Sequence, residues 1–162
     1  MDTKTHIKPT LNEYIREIIE SELKRYLSWD ELNSDIKTDI IENIYHNSIY
    51  LQKEWNIWTF KEYVDDATNL PKFKIEYKDV DELYEQLKQI GWGISETNVK
   101  NLMNILIRGN ELEPVLLNNG NFFDGGHRLT AYKRLRKELI PTIDIGIMLG
   151  MDWEKWFNVE VN

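Results

Sequence analysis

Two glycine turns set four residues apart, Asn119-Gly120 and Gly125-Gly126, constrain this chain more than any other feature. Asn-Gly readily adopts the left-handed dihedrals of a two-residue hairpin turn, so Pro114–Leu117 and Asn121–Phe123 are predicted to pair as antiparallel strands. The second glycine pair lets the chain leave the sheet abruptly, and a helix is predicted from about His127 to Lys137. Pro141 then opens a strand in which Ile143, Ile145 and Ile147 alternate on one face. A hairpin, a helix and a returning strand call for a mixed sheet covered by helices, an α+β arrangement.

Upstream, a short strand is predicted after Pro71, with Phe73, Ile75 and Tyr77 on one face. Asp79 is predicted to start a helix bearing Val80, Leu83, Leu87 and Ile90, closed by Gly91. Ser95 starts another, with Val99, Leu102, Met103 and Leu106 inward and Gly109 as its stop. Before residue 69 the pattern is helical throughout. Thr10-Leu-Asn-Glu13 is a capping box ahead of Leu11, Tyr14, Ile15, Ile18, Ile19 and Leu23. Ser28-Trp-Asp-Glu31 is a second, ahead of Ile36, Ile40, Ile41, Ile44 and Tyr45, and Thr59-Phe-Lys-Glu62 marks a shorter third helix. The expected organisation is an all-helical N-terminal extension over 1–69 and a small mixed-sheet domain over 70–162. The tail of that domain, with Trp153, Trp156 and Phe157, forms a short amphipathic helix.

A hydrophobic fraction of 41% places the chain among folded proteins in spite of its 30% charged residues. The balance of 28 acidic against 20 basic residues gives a net charge of -8, which repels a polyanionic backbone and disfavours extended coating of DNA. The absence of cysteine excludes disulfides, thiolate metal sites and thiol nucleophiles. Residues 1–9 lack the apolar run of a signal peptide, and no stretch approaches the roughly 20 apolar residues of a membrane span. A cytoplasmic protein is expected.

The second glycine pair is also where chemistry is expected. A helix beginning at Gly125-Gly126 aims its unpaired amides and the positive end of its dipole at one spot, and glycine lets an anion approach them. Arg128, in the first turn, can hold two phosphate oxygens with one planar guanidinium, and His127 adds a second donor or a titratable group. Lys133, Arg134, Arg136 and Lys137 follow on the same helix, an island of positive charge in an acidic protein. The plainer reading of both features is a simple turn and a solvated helix face.

The sequence around this loop resembles a known family. Leu112-Glu-Pro-Val-Leu-Leu117, Asn119-Gly120, Phe123-Asp-Gly-Gly-His-Arg-Leu-Thr-Ala-Tyr-Lys-Arg-Leu135 and Ile140-Pro-Thr-Ile143 stand in the order found in the ParB/sulfiredoxin superfamily. The likeness extends over roughly residues 71–148. It implies a compact nucleotide-binding domain, in which Gly125, Gly126, His127 and Arg128 contact phosphates and Asp124 orients His127 or a metal. ATP, ADP or CTP with Mg²⁺ is the implied ligand, and phosphotransferase or nucleotide hydrolase chemistry the implied activity, on an acceptor that the sequence does not name. Sulfiredoxin itself needs a cysteine in the loop, which this chain lacks. The partitioning clamp carries a helix-turn-helix module for which the tail after residue 148 is too short.

Other residues carry weaker signals. Glu76 is a candidate general base, or simply the outward half of an alternating strand. Asp65, Asp66, Asp79, Asp81 and Glu82 could serve Mg²⁺ if they faced phosphates, though such residues are more often caps and solvated faces. His6 and His46 have no ligand-spaced partner. Trp55, Trp58 and Phe60 either pack the helical extension onto the sheet domain or form a partner surface. The alternative to a nucleotide enzyme is a non-catalytic regulator or inhibitor that uses this helical region and the acidic surface to bind a protein. A small DNA-binding regulator using the basic helix is a third reading. The oligomeric state stays open.

Overall fold

Hairpin geometry at Asn119-Gly120 organises the sheet. A computed structural model of the chain describes residues 10–15, 26–91 and 93–160. Asn119 and Gly120 both take positive φ, 51° and 87°, and join β3 (Val115–Asn118) to β4 (Asn121–Asp124). Tyr26–Leu27 (β1) and Phe73–Asp79 (β2) pair antiparallel, β2 pairs antiparallel with β5 (Leu139–Asp144), and β5 runs parallel to β3. The result is a five-stranded mixed sheet of order β1-β2-β5-β3-β4 within a mixed α+β fold. Pro141 fits this central strand because β3 starts to pair only at Thr142, opposite Val115.

Alternation along β3 sends its residues to two cores. Leu116 joins Phe73 and Ile143 on one face, beneath α1 (Ser34–His46), α2 (Ile49–Glu54), α3 (Ile57–Asp66) and, after the short α7 (Gly146–Leu149), α8 (Trp153–Glu160). Ile36, Ile40, Ile41 and Ile44 of α1 are all buried there; each such side chain contributes roughly 1.5–3 kcal/mol. Val115, Leu117, Phe122 and Ile140 face the other side, under α4 (Val80–Ile90), α5 (Glu96–Ile107) and α6 (Gly126–Arg134). The helical segment and the tail thus seal one face of the sheet. Trp55 stacks on Phe157 at 4.2 Å, Phe60 meets Trp153 edge-on at 5.1 Å, and Trp58 stays 65% exposed.

Several expected caps are present. Thr10 and Glu13 exchange the two bonds of a capping box, Asp79 accepts from Glu82 N–H, Ser95 accepts from Asn98 N–H, and Gly91 ends α4 at φ 76°. Ile18, Ile19, Leu23 and His6 lie outside the described residues.

Other boundaries are corrected. The Ser28 box closes only a 3₁₀ turn, Trp29–Glu31, because Leu32 leaves it extended to reach the core; α1 starts later, with Asn33 as its cap. Thr59-Glu62 lies inside α3, which Asn56 caps. The region before residue 69 is not all helical, since β1 extends the sheet. The last strand ends at Asp144, whose carboxylate accepts from the amides of Asn119, Gly120 and Gly146 and turns the chain into α7, leaving Ile147 exposed. The basic helix stops at Arg134, where Arg136 takes a left-handed φ of 56° and the Arg136 and Lys137 amides cap the last turn.

Candidate functional site

Five residues after the hairpin turn the chain is brought off β4 at Gly125, in the left-handed region with φ 107°. Space requires glycine there as much as the dihedral does: a Cβ would lie 2.9 Å from both Arg128 Nη2 and Val115 Cγ1. Helix α6 starts at the next residue. Its first internal bond runs from Leu129 N–H to the Gly125 carbonyl, so the amides of Gly126, His127 and Arg128 point out of the helix end. Gly125 has no side chain with which to cap them. They border a cleft of about 410 Å³ whose other wall is Asn98, Asn101 and Leu102 of α5.

The expected residues Asp124, Gly125, Gly126, His127 and Arg128 all line this cleft. Three of them, His127, Arg128 and Asp124, are engaged in ways the sequence did not reveal. His127 Nε2 accepts the Ser95 N–H at 3.0 Å, so a neutral ring carries its proton on Nδ1 and that nitrogen is the one left to donate. Arg128 donates from Nη2 to Asp39 Oδ2 at 2.9 Å and from Nη1 to the Pro114 carbonyl at 3.0 Å. The guanidinium expected to grip phosphate is thus held by a carboxylate and a carbonyl of the chain itself. Arg128 lines the cleft, but Nη2 faces Asp39 in the helical layer behind it and Nη1 faces the Pro114 carbonyl ahead of β3.

That layer supplies two residues that sequence reasoning missed. Asp39 and Asn43 stand at i and i+4 on α1, one residue ahead of the buried Ile40 and Ile44. Asn43 Nδ2 donates to Asp124 Oδ2 at 2.9 Å. Burial holds the Asp39 carboxyl above the usual range, with Arg128 opposing this and Asp124 adding to it. The only trace in the sequence is a polar pair at helical spacing beside an apolar stripe.

Glu76 lies elsewhere, in a second cleft of about 340 Å³ between β2 and the β3–β4 turn. Lys78 at 3.1 Å and Lys74 at 3.2 Å bracket it. The hydrogen bond from Lys78 holds its carboxyl below the usual range, with burial opposing it and Lys74 helping, which makes it a weaker base. The basic island is partly neutralised: Lys133 bonds Asp81 at 2.7 Å, and Arg134 grips Glu96 with both nitrogens at 2.5 and 2.7 Å. Asp79 caps α4, and Asp65 accepts from Trp29 Nε1 and Lys61. Among the described residues no group of three or more His, Asp or Glu is arranged to hold a metal ion, and no helix is long and apolar enough to cross a membrane. No family model, curated protein or solved structure matches the chain.

Proposed function

We propose that the cleft at the start of α6 binds the phosphates of a nucleotide, ATP, ADP or CTP, and that the chemistry it serves is phosphoryl transfer or hydrolysis. One observation carries this reading. The uncapped amides of residues 126–128 open onto a cleft of nucleotide-fitting size, walled by the uncharged Asn98, Asn101 and Leu102 of α5. The resemblance of the loop and its flanks to the ParB/sulfiredoxin superfamily agrees with it in order and spacing.

Asn98, Asn101 and the His127 Nδ1–H supply donors without fixed charge. Asp124 borders the cleft as a carboxylate, so a phosphate there is best accepted with a cation. Mg²⁺, which takes one or two carboxylates together with phosphate oxygens, suits that donor set and would be held by Asp124. Arg128 would contribute charge stabilisation of the kind phosphoryl transfer needs on exchanging its present partner for phosphate. Glu76, in the other cleft, has no part in this site. Calorimetric titration of the full chain with each nucleotide and Mg²⁺ tests the reading; no heat from any of them at millimolar ligand removes it.

A second reading is favoured by Trp58, 65% exposed on α3 while its neighbours Trp55 and Phe60 pack inward. Large exposed aromatics are typical anchors of protein interfaces, and a regulator would dock there. Arg128→Ala separates the two: it would abolish nucleotide binding and leave such docking intact.

A further inference from the structure

The polar network behind the loop has a two-by-two order. Asp39 and Asn43 stand one turn apart on α1, and their partners Arg128 and Asp124 are spaced likewise along the loop and α6. Asn43 also donates to the Asp39 carbonyl at 2.9 Å and meets its Oδ1 at 3.4 Å, so one amide is held between two acids. The guanidinium that answers Asp39 packs against the loop itself, since Nη2 lies 2.9 Å from where a Gly125 Cβ would stand. Arg128 thus lies against Gly125, where α6 begins, while Nη2 donates to Asp39 and Nη1 to the Pro114 carbonyl.

A purely structural arginine has no need of this arrangement. Its two carbonyl acceptors, Pro114 and Glu113, already pair one side of the guanidinium. Asp39 adds a half-buried carboxylate next to Asp124, and burial with that second charge leaves its carboxyl raised even with Arg128 in contact. Asp39 thus faces one cation and a second acid at once, which leaves the ion pair open to competition from another anion.

We propose that Asp39 is a latch on Arg128: a phosphate arriving at the α6 amides competes with Asp39 for the guanidinium, and occupancy of the loop loosens the contact between α1 and α6. The latch rests on the reading of this loop as a phosphate site and adds its regulation. Asp39 does not line the cleft; it is a positioning residue that acts through Arg128. Reciprocity follows, because a contact that phosphate weakens must itself weaken phosphate binding by the same factor.

The test uses the full chain with Asp39→Asn and, as a second variant, Asp39→Ala. Calorimetry with Mg-ATP is expected to show roughly tenfold tighter binding in Asp39→Asn than in the parent, a coupling of ordinary size. The Arg128 Nε–H resonance, followed by NMR as inorganic pyrophosphate is added, is expected to shift at lower concentration in both variants than in the parent. Equal or weaker pyrophosphate binding by the variants overturns the latch, as does an Arg128 resonance that ignores pyrophosphate in all three proteins. Failure of both variants to fold also overturns it, because Asp39 is then a structural necessity. A resonance that moves earlier in the variants, while Mg-ATP, Mg-ADP and Mg-CTP give no heat, upholds the latch and overturns the nucleotide reading alone.

Discussion

Arg128 and Asp39 are 89 residues apart in the chain and 2.9 Å apart in the fold, with side chains only 17% and 24% exposed. An ion pair at that depth differs from a surface pair, because losing one member strands the other in a medium that solvates it poorly. The two members are also unequal. Arg128 answers an acid and two carbonyls, whereas Asp39 answers one arginine and a long bond from Asn43 while facing Asp124.

Arg128→Ala is therefore expected to destabilise the chain by about 2–3 kcal/mol, between the values for exposed and fully buried pairs. Asp39→Asn is expected to cost less than about 1 kcal/mol, since it removes a buried charge together with its partner's attraction. Urea unfolding measured on both variants checks the asymmetry. Equal losses would contradict it.

The same pair gives a pH dependence whose sign is fixed. Asp39 holds its proton more tightly when folded than at the usual 3.8 of an unfolded chain. Its contribution to stability is complete below 3.8 and declines as pH rises through the raised folded value. Melting temperatures of the parent should accordingly lose ground to those of Asp39→Asn as pH climbs through that window. Glu76 acts in the opposite sense: Lys78 and Lys74 lower its carboxyl, so its contribution is present above the usual 4.5 and is lost as pH falls through the lowered value. Comparison with Glu76→Gln isolates that component.

Gly125→Ala and Gly120→Ala separate dihedral strain from crowding. Both positions have positive φ, but a Cβ at Gly120 meets nothing within 4 Å, while one at Gly125 meets Arg128 and Val115 at 2.9 Å. Gly120→Ala should cost about 1 kcal/mol and Gly125→Ala at least about 2 kcal/mol more than that. The Gly125 variant should also displace Arg128 from Asp39, which the Arg128 Nε–H resonance reports.

Phe157→Ala tests whether the C-terminal helix belongs to the core. Phe157 is 4% exposed and stacks on Trp55. Truncation is expected to cost roughly 3–5 kcal/mol and to change tryptophan fluorescence, because Trp55, Trp153 and Trp156 all contact this ring. A loss within experimental error would mean that α8 packs only loosely.

Local signals were legible in the sequence wherever the cause was local. Asn119-Gly120 supplied its own turn, Asp79 and Ser95 their own caps, and Gly91 its own stop. Signals failed where a distant partner decided the outcome. Tyr26–Leu27 reads as part of a helical stretch and becomes a strand only because β2 offers an edge. Ile145 and Ile147 continue an alternating pattern, yet Asp144 bends the chain by accepting three amides, two of them from the hairpin turn. At the site, Gly125 and its neighbours could be read from their own spacing, but Asn43 and Asp124 are 81 residues apart and no periodicity relates them.

Helix α1 carries both the isoleucines that cover one sheet face and the acid that restrains Arg128. Its history of substitution is thereby bound to that of the glycine loop. A change at Asp39 or Asn43 alters what is tolerated at Arg128 or Asp124, so epistasis between the two segments should be strong, and pairs of replacements should succeed where single ones fail. Transplanting residues 112–143 alone into a foreign scaffold would move the loop without its counter-charge, and the graft would behave unlike the original however faithfully its backbone were copied.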